Sequence, residues 1–309
     1  MAEPAPPSGA QHEISRGEQR ATVVEVGGGL RTYSVGGVDL LDGYPAAERC
    51  SGGRGQPLIP WPNRLCDGAY EFDGRRYQLP LTEPETRSAI HGLVRWANWT
   101  VGEREPGRLV MEHMLHPQPG WPGTLSLRIE YALGDRGLSV TTTAVNAGAA
   151  ACPYGAGAHP YLTLGTATVD ALTLRVPARR YLEADARGIP TAVRDVAGTR
   201  FDFRVPRLLG PARLDTGYCE LDRDPDGLAR VRIHTAGGGR GAVLWLDRSY
   251  EHLMVFTGDS LPEADRRRGL AVEPMTCAPN AFRSGHGLRR LEPGDTAVGR
   301  WGVSSEQLG

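Results

Sequence analysis

Glycine and proline recur so densely in this chain that they decide what it can fold into. Of 309 residues, 41 are Gly and 24 are Pro. Gly frees φ and Pro fixes it while removing a backbone donor, so a helix of more than three turns finds no room between them. What remains are short apolar runs rich in β-branched and aromatic residues. Residues 21–26, 30–35 and 38–41, separated by Gly27-Gly28-Gly29 and Gly36-Gly37, read as an opening meander. Asp73-Gly74, between Tyr70-Glu71-Phe72 and Arg76-Tyr77-Gln78-Leu79, is the strongest hairpin signal. Strand-like runs continue at 125–133, 138–145, 172–176, 231–234, 243–246 and 253–257, with no repeat of solenoid or propeller period. The expectation is an all-β fold, a large antiparallel β-sandwich forming one domain over 21–309. Residues 1–20, rich in Pro and Ala, read as a flexible N-terminal tail.

Charge and cysteine usage remove several classes of function. All 35 basic side chains are Arg, 36 are acidic, and the formal net charge is −1. No nucleic-acid or membrane partner is suggested by that balance, and Schiff-base or phosphate-loop lysine chemistry is excluded. Cys50, Cys66, Cys152, Cys219 and Cys277 are scattered and lack C-x-x-C spacing, so neither a disulfide framework nor a zinc site is expected. A reducing cytoplasm fits them, and no stretch has the apolar length of a signal peptide core or a membrane span. Asp222, Asp224, Asp226 and Gly227 imitate a calcium loop, but Ile233 stands where its bidentate Glu belongs. His113 and His116 fall on opposite faces of one run. The Gly52–Gly55 and Gly237–Gly241 clusters lack the Lys of a phosphate loop, and Asn98-Trp99-Thr100 has no secretion signal to give it meaning.

Four places carry polar side chains next to turn chemistry. In Gly269–Phe282, Leu270 and Val272 alternate with Ala271 and Glu273, which turns Glu273 away from the packed side just before Pro274. His159 also precedes a proline, in Gly157-Ala158-His159-Pro160-Tyr161; Asn63 and Arg64 follow Trp61-Pro62, and His91 sits in Ile90-His91-Gly92. Singly, each reads equally as a solvated Glu, a surface ion pair or a satisfied structural His. Together they make a set. A His and a Glu on opposite sides of a small polar ligand form a general acid and base, with ordinary pKa values of about 6.5 and about 4.3. Such a pair needs no metal or nucleophile.

PWPNRL with the G-x-Y-x-F-x-G hairpin after it, IHG with Trp96 and Trp99 beyond, AHPYL, LDTGY at 214–218, VFTGD at 255–259 and AVEP occur in an order and spacing that resemble the aldose 1-epimerase (galactose mutarotase) family. The resemblance runs from about Ala21 to Trp301. It implies a β-supersandwich that interconverts the α and β anomers of a free aldohexose or related sugar without a cofactor. It also implies His159 as the acid at the ring oxygen, Glu273 as the base at the anomeric hydroxyl, and Asn63, Arg64, His91 and Asp215 as sugar-binding residues. Asp215 has no signal of its own beyond an acidic turn residue.

The chain departs from the family at Leu162-Thr163, where Phe-Asn is common, at Met254, where a Gln is common, and at Met275-Thr276. An amide lost at Met254 changes which hydroxyls can be read, and EPMTCAPNAF resembles a bacterial branch linked to acidic sugars, including sulfonated hexoses. Two alternatives stand beside the mutarotase: a sugar-binding or regulatory module without turnover, and a mutarotase for phosphorylated or sulfonated hexoses, for which Arg266-Arg267-Arg268 would be an anion pocket or a solvated loop. Monomer and homodimer are equally open.

Overall fold

In the computed structural model, which describes residues 5–307, two large antiparallel sheets share one apolar core. The first has nine strands in the order Thr100–Glu105, Arg108–Leu115, Leu125–Gly134, Gly137–Asn146, Thr296–Gln307, Arg240–Leu246, Ala229–Thr235, Leu172–Arg175 and Arg207–Leu208. Leu125, Leu127, Ile129, Tyr131 and Leu133 alternate with half-buried partners along one strand, the period-two pattern of a sheet with one face on the core. The second sheet has eight strands. It runs Pro190–Asp195, Ala178–Ala184, Asp215–Leu221, His252–Phe256, Leu270–Met275, Gly157–Ala158 and Pro57–Leu58, with Tyr161–Leu162 also paired to Leu270–Met275.

Ala69–Phe72 and Arg75–Gln78 form the hairpin read from Asp73-Gly74, and both turn residues have positive φ, 51° and 70°, as a primed turn requires. The N-terminus differs from expectation. Gln11–Arg16 is a strand paired along its length with Gln19–Val24, so ordered structure begins well inside the stretch read as a tail. Ile14 explains it: the side chain is buried in the core, a single apolar anchor in an otherwise polar run. The five cysteines are all free thiols, and among the described residues no helix is long and apolar enough to cross a membrane.

Alternation in the second sheet positions everything that follows. Tyr218, Leu253, Val255, Leu270 and Val272 point into the core. Their neighbours Asp215, Met254 and Glu273 therefore share the other face, with Met254 directly opposite Glu273 and Gly217 directly opposite Met254. That face is not solvated. Every residue of Leu270–Met275 is buried, and loops pack at this face: His91, paired to Asn63, has a ligating atom within 4.8 Å of one on Glu273, and Gly53 packs on His159.

Candidate active site

Glu273 is only 2% exposed and His159 4%, and His159 Nε2 lies 3.3 Å from Glu273 Oε1. The two do not face each other across a ligand-sized gap, as the sequence suggested; they touch on one wall. The reason is topological. Tyr161–Leu162 pairs with the same strand that carries Glu273, and Pro160 accepts a backbone hydrogen bond from Val272, so His159 is delivered to the flank of Glu273. Among the described residues, no other residue hydrogen-bonds to His159 Nδ1 or Glu273 Oε2.

Burial reverses the expected protonation. It lowers the His159 pKa to about 3, with Arg95 and Arg54 adding to the effect. It raises that of Glu273 well above the carboxylate range, helped by the charge of Asp215 and opposed by Arg64. Both shifts favour the neutral forms, imidazole and carboxyl, over the imidazolium and carboxylate implied by unperturbed values.

Asn63 and His91 lock two loops together. The Asn63 N–H donates to His91 Nδ1 at 3.1 Å, and the His91 N–H donates to the Asn63 carbonyl at 3.0 Å. Both residues hold positive φ, 57° and 64°, a strained conformation for side-chain-bearing residues that this reciprocal pairing enforces. With Nδ1 accepting, the neutral His91 ring carries its proton on Nε2 and presents a donor. The edge of His91 meets His159 at 5.2 Å between ring centres. Ligating atoms of His91, His159 and Glu273 all lie within 4.8 Å of one another. The His91 tautomer nevertheless fits a metal poorly, since its remaining nitrogen is protonated.

Arg64 is brought alongside but is partly engaged. Its Nε and one terminal nitrogen donate to Glu83 at 2.6 and 2.9 Å, which leaves the other terminal nitrogen 3.7 Å from Asp215. Glu83, which orients this guanidinium, lies in a Thr-Glu-Pro-Glu turn with no sequence signal for the role. A groove of about 570 Å³ opens beside Arg64 and Asp215, lined also by Arg187, Phe201 and Phe256. His159, Glu273, His91 and Asn63 stand outside its lining. Of the departures, Met254 belongs to the site by register, whereas Thr163 does not: its hydroxyl accepts the Gly165 N–H and it lines a separate cavity with Asp39 and Asp42.

Residues 11–301 match the profile of the aldose 1-epimerase family. The chain belongs to that family. Its activity is accordingly of the sugar epimerase type. The uncharacterized protein YihR of Escherichia coli K12 is 33% identical over 288 residues, 93% of this chain and 90% of that protein. Rat galactose mutarotase is 28% identical over 214 residues, covering 64% of this chain and 60% of the rat protein. Among solved structures, the GalM/aldose epimerase homologue of C. elegans superposes with a TM-score of 0.86 at 20% identity, covering 97% of this chain and 99% of the other. Galactose 1-epimerase of Lactobacillus acidophilus gives 0.80 at 18% identity, covering 97% and 95%. These last two establish the galactose-mutarotase-like fold.

Proposed function

We propose that this aldose 1-epimerase family member is a mutarotase that opens and recloses the ring of a free aldohexose or related sugar. The contact between His159 and Glu273 carries the reading: one donor and one acceptor, buried together, each with a heteroatom to which no other described residue hydrogen-bonds. The ring oxygen and the anomeric hydroxyl share one carbon, so two groups in contact can serve both at once.

A bound sugar surrounds the pair with hydroxyls, and the proton of Glu273 passes across the contact to His159 Nε2. His159 then gives it to the ring oxygen while Glu273 takes the proton of the anomeric hydroxyl. The carbon–oxygen ring bond breaks, the carbonyl forms, and the pair is neutral again. Rotation about C1–C2 turns the other carbonyl face to the C5 hydroxyl. On reclosure His159 accepts that hydroxyl's proton and Glu273 protonates the carbonyl oxygen, and the proton then passes back from His159 Nε2 to Glu273 to restore the neutral pair. His91 Nε2–H, the Asn63 amide and the free nitrogen of Arg64 donate to sugar hydroxyls, and Asp215 accepts. Polarimetry on fresh α-D-glucose and α-D-galactose tests the reading. It fails if neither sugar, nor a panel of acidic and sulfonated hexoses, equilibrates faster than in buffer.

The productive pair holds one proton in total. A second enters only near the lowered His159 value of about 3, and the last leaves only above the raised Glu273 value. We expect kcat/KM to stay level from about pH 5 through the ordinary imidazole value of about 6.5 instead of turning down there. NMR exchange rates across that span check it, and a decline centred near the ordinary imidazole value would contradict it.

One observation favours a sugar with an anionic substituent as a second reading. Arg95 is half-buried, and among the described residues no carboxylate lies in ion-pair reach of it; its guanidinium rests 5.5 Å from the Trp96 ring centre. Its charge contributes to lowering both His91 and His159. The Arg266-Arg267-Arg268 run offers no such free cation in its last two members, since Arg267 pairs with Asp170 and Asp259, and Arg268 with Asp42 and Asp265. Arg95→Met should cut kcat/KM at least about tenfold for a hexose bearing a 6-phosphate, 6-sulfonate or 6-carboxylate and spare neutral hexoses. Equal effects on both would remove this reading.

A further inference from the structure

A catalytic histidine is ordinarily oriented by a hydrogen bond on its second nitrogen. At His159 Nδ1, which is buried, no other described residue supplies one, and the ring is packed by stacking. The Tyr161 ring lies parallel to the imidazole, 5.0 Å between centres and 9° between planes. On Tyr161 in turn sits the guanidinium of Arg54, 4.6 Å from the ring centre. Arg54 is 2% exposed and is pinned in place. Its Nε donates to Asp42 at 3.1 Å, its terminal nitrogens reach Asp265 at 3.6 Å and the Ser51 carbonyl at 3.2 Å, and Ser51 Oγ donates to Asp265 at 2.8 Å.

The loop that carries Arg54 is keyed to the same column. Tyr161 Oη donates to the Gly52 carbonyl at 2.8 Å, the His159 N–H donates to Gln56, and the Gly55 N–H donates to His159. Gly53, at φ +75°, packs so closely that a Cβ there would stand 2.9 Å from His159 Cδ2. An exposed cation over an aromatic ring contributes little, but a desolvated guanidinium on a phenol that is itself stacked makes a stiff pile.

We propose that Tyr161 and Arg54 are positioning residues, a guanidinium–phenol–imidazole column that sets the plane of the His159 ring. This rests on His159 being a proton-transfer group, so His159→Asn is measured alongside. Misplacing a reacting group by about 1 Å costs on the order of a hundredfold. Tyr161→Leu should therefore lower kcat at least about thirtyfold with KM changed less than about threefold. Tyr161→Phe, which keeps the ring, should stay within about fivefold of the wild type.

A column that also keeps water from the imidazole predicts that in Tyr161→Leu the acid limb of the pH–rate profile moves up toward the ordinary His value. A variant that merely folded less completely would lose amplitude without moving the limb. Should Tyr161→Leu fail to fold, NMR of the wild type and Tyr161→Phe decides: the ring protons of His159, assigned by their loss in His159→Asn, lie upfield in both under the ring current. Wild-type kcat in Tyr161→Leu with an inactive His159→Asn would overturn the column alone. So would equal losses in the Phe and Leu variants, or unshifted His159 protons. An active His159→Asn would instead remove the proton-transfer reading beneath it.

Discussion

Replacing Glu273 by Gln is expected to lower kcat by at least about a hundredfold and, at the same time, to raise the melting temperature at pH 7. The amide has the shape of the carboxyl group and can still meet His159 at the 3.3 Å contact, but it can neither pass a proton to the imidazole nor take one from the sugar. The gain in stability has a separate origin. Folding raises the Glu273 pKa from its ordinary 4.5, chiefly by burial. Above pH 4.5 the unfolded chain ionises this group and the folded chain does not, so stability is lost as pH rises through the folded value. Gln has nothing to ionise. The gain is expected at pH 7 and shrinks toward pH 4.5. Calorimetry across that range, beside anomer exchange by NMR, separates the two effects. A variant with wild-type rates would refute the assigned role, and one that melts lower at pH 7 would refute the buried neutral carboxyl.

Local rules made the fold legible. Asp73-Gly74 predicted its hairpin because few residue pairs accept two consecutive positive φ angles, and both residues have them. Alternation around Val272 predicted which way Glu273 points, since a strand has only two faces. What alternation could not show is that the second face is covered. That depends on loops distant in sequence, and it is why Glu273 is buried, with its pKa raised, and not solvated. The error about His159 has the same source. Ordinary pKa values describe side chains in water, and no short stretch of sequence reports the burial that moves them. Ile14 shows the limit from the other direction: one apolar residue in a polar run is too weak a signal to predict a strand, yet it is enough when Ala21 lies opposite to pair with it.

The site residues divide by how far they depend on distant partners. His159 and Glu273 each stood out by preceding a proline, a local cue. Asp215 gave none, because its meaning comes from Arg64 at 3.7 Å and from a place on the same sheet face as Glu273. Glu83 and the Arg54–Tyr161 column were silent for the same reason: each acts by orienting a group elsewhere in the chain, and orientation leaves no mark at the position that supplies it.

Replacing His159 by Asn is expected to slow anomer exchange by at least about a hundredfold, matching the Glu273 variant because one proton serves both groups and either loss breaks its route. The consequences for stability run opposite to those of Glu273→Gln. Asn leaves the Tyr161 ring without the imidazole stacked on it, which should cost about 1 to 3 kcal/mol at pH 7. The pH dependence should also flatten. The unfolded imidazole takes up a proton at 6.5, whereas the folded one refuses it until about 3. The wild type therefore loses stability as pH falls below 6.5, and His159→Asn loses that share of the slope. A residual slope remains from His91 and His252, which burial also lowers. Melting temperatures at pH 7 and pH 5 for both proteins provide the measurement. A difference between the two pH values as large in the variant as in the wild type would mean that His159 is not held neutral by the fold. The route of the proton through Glu273 would then have to start from an imidazolium.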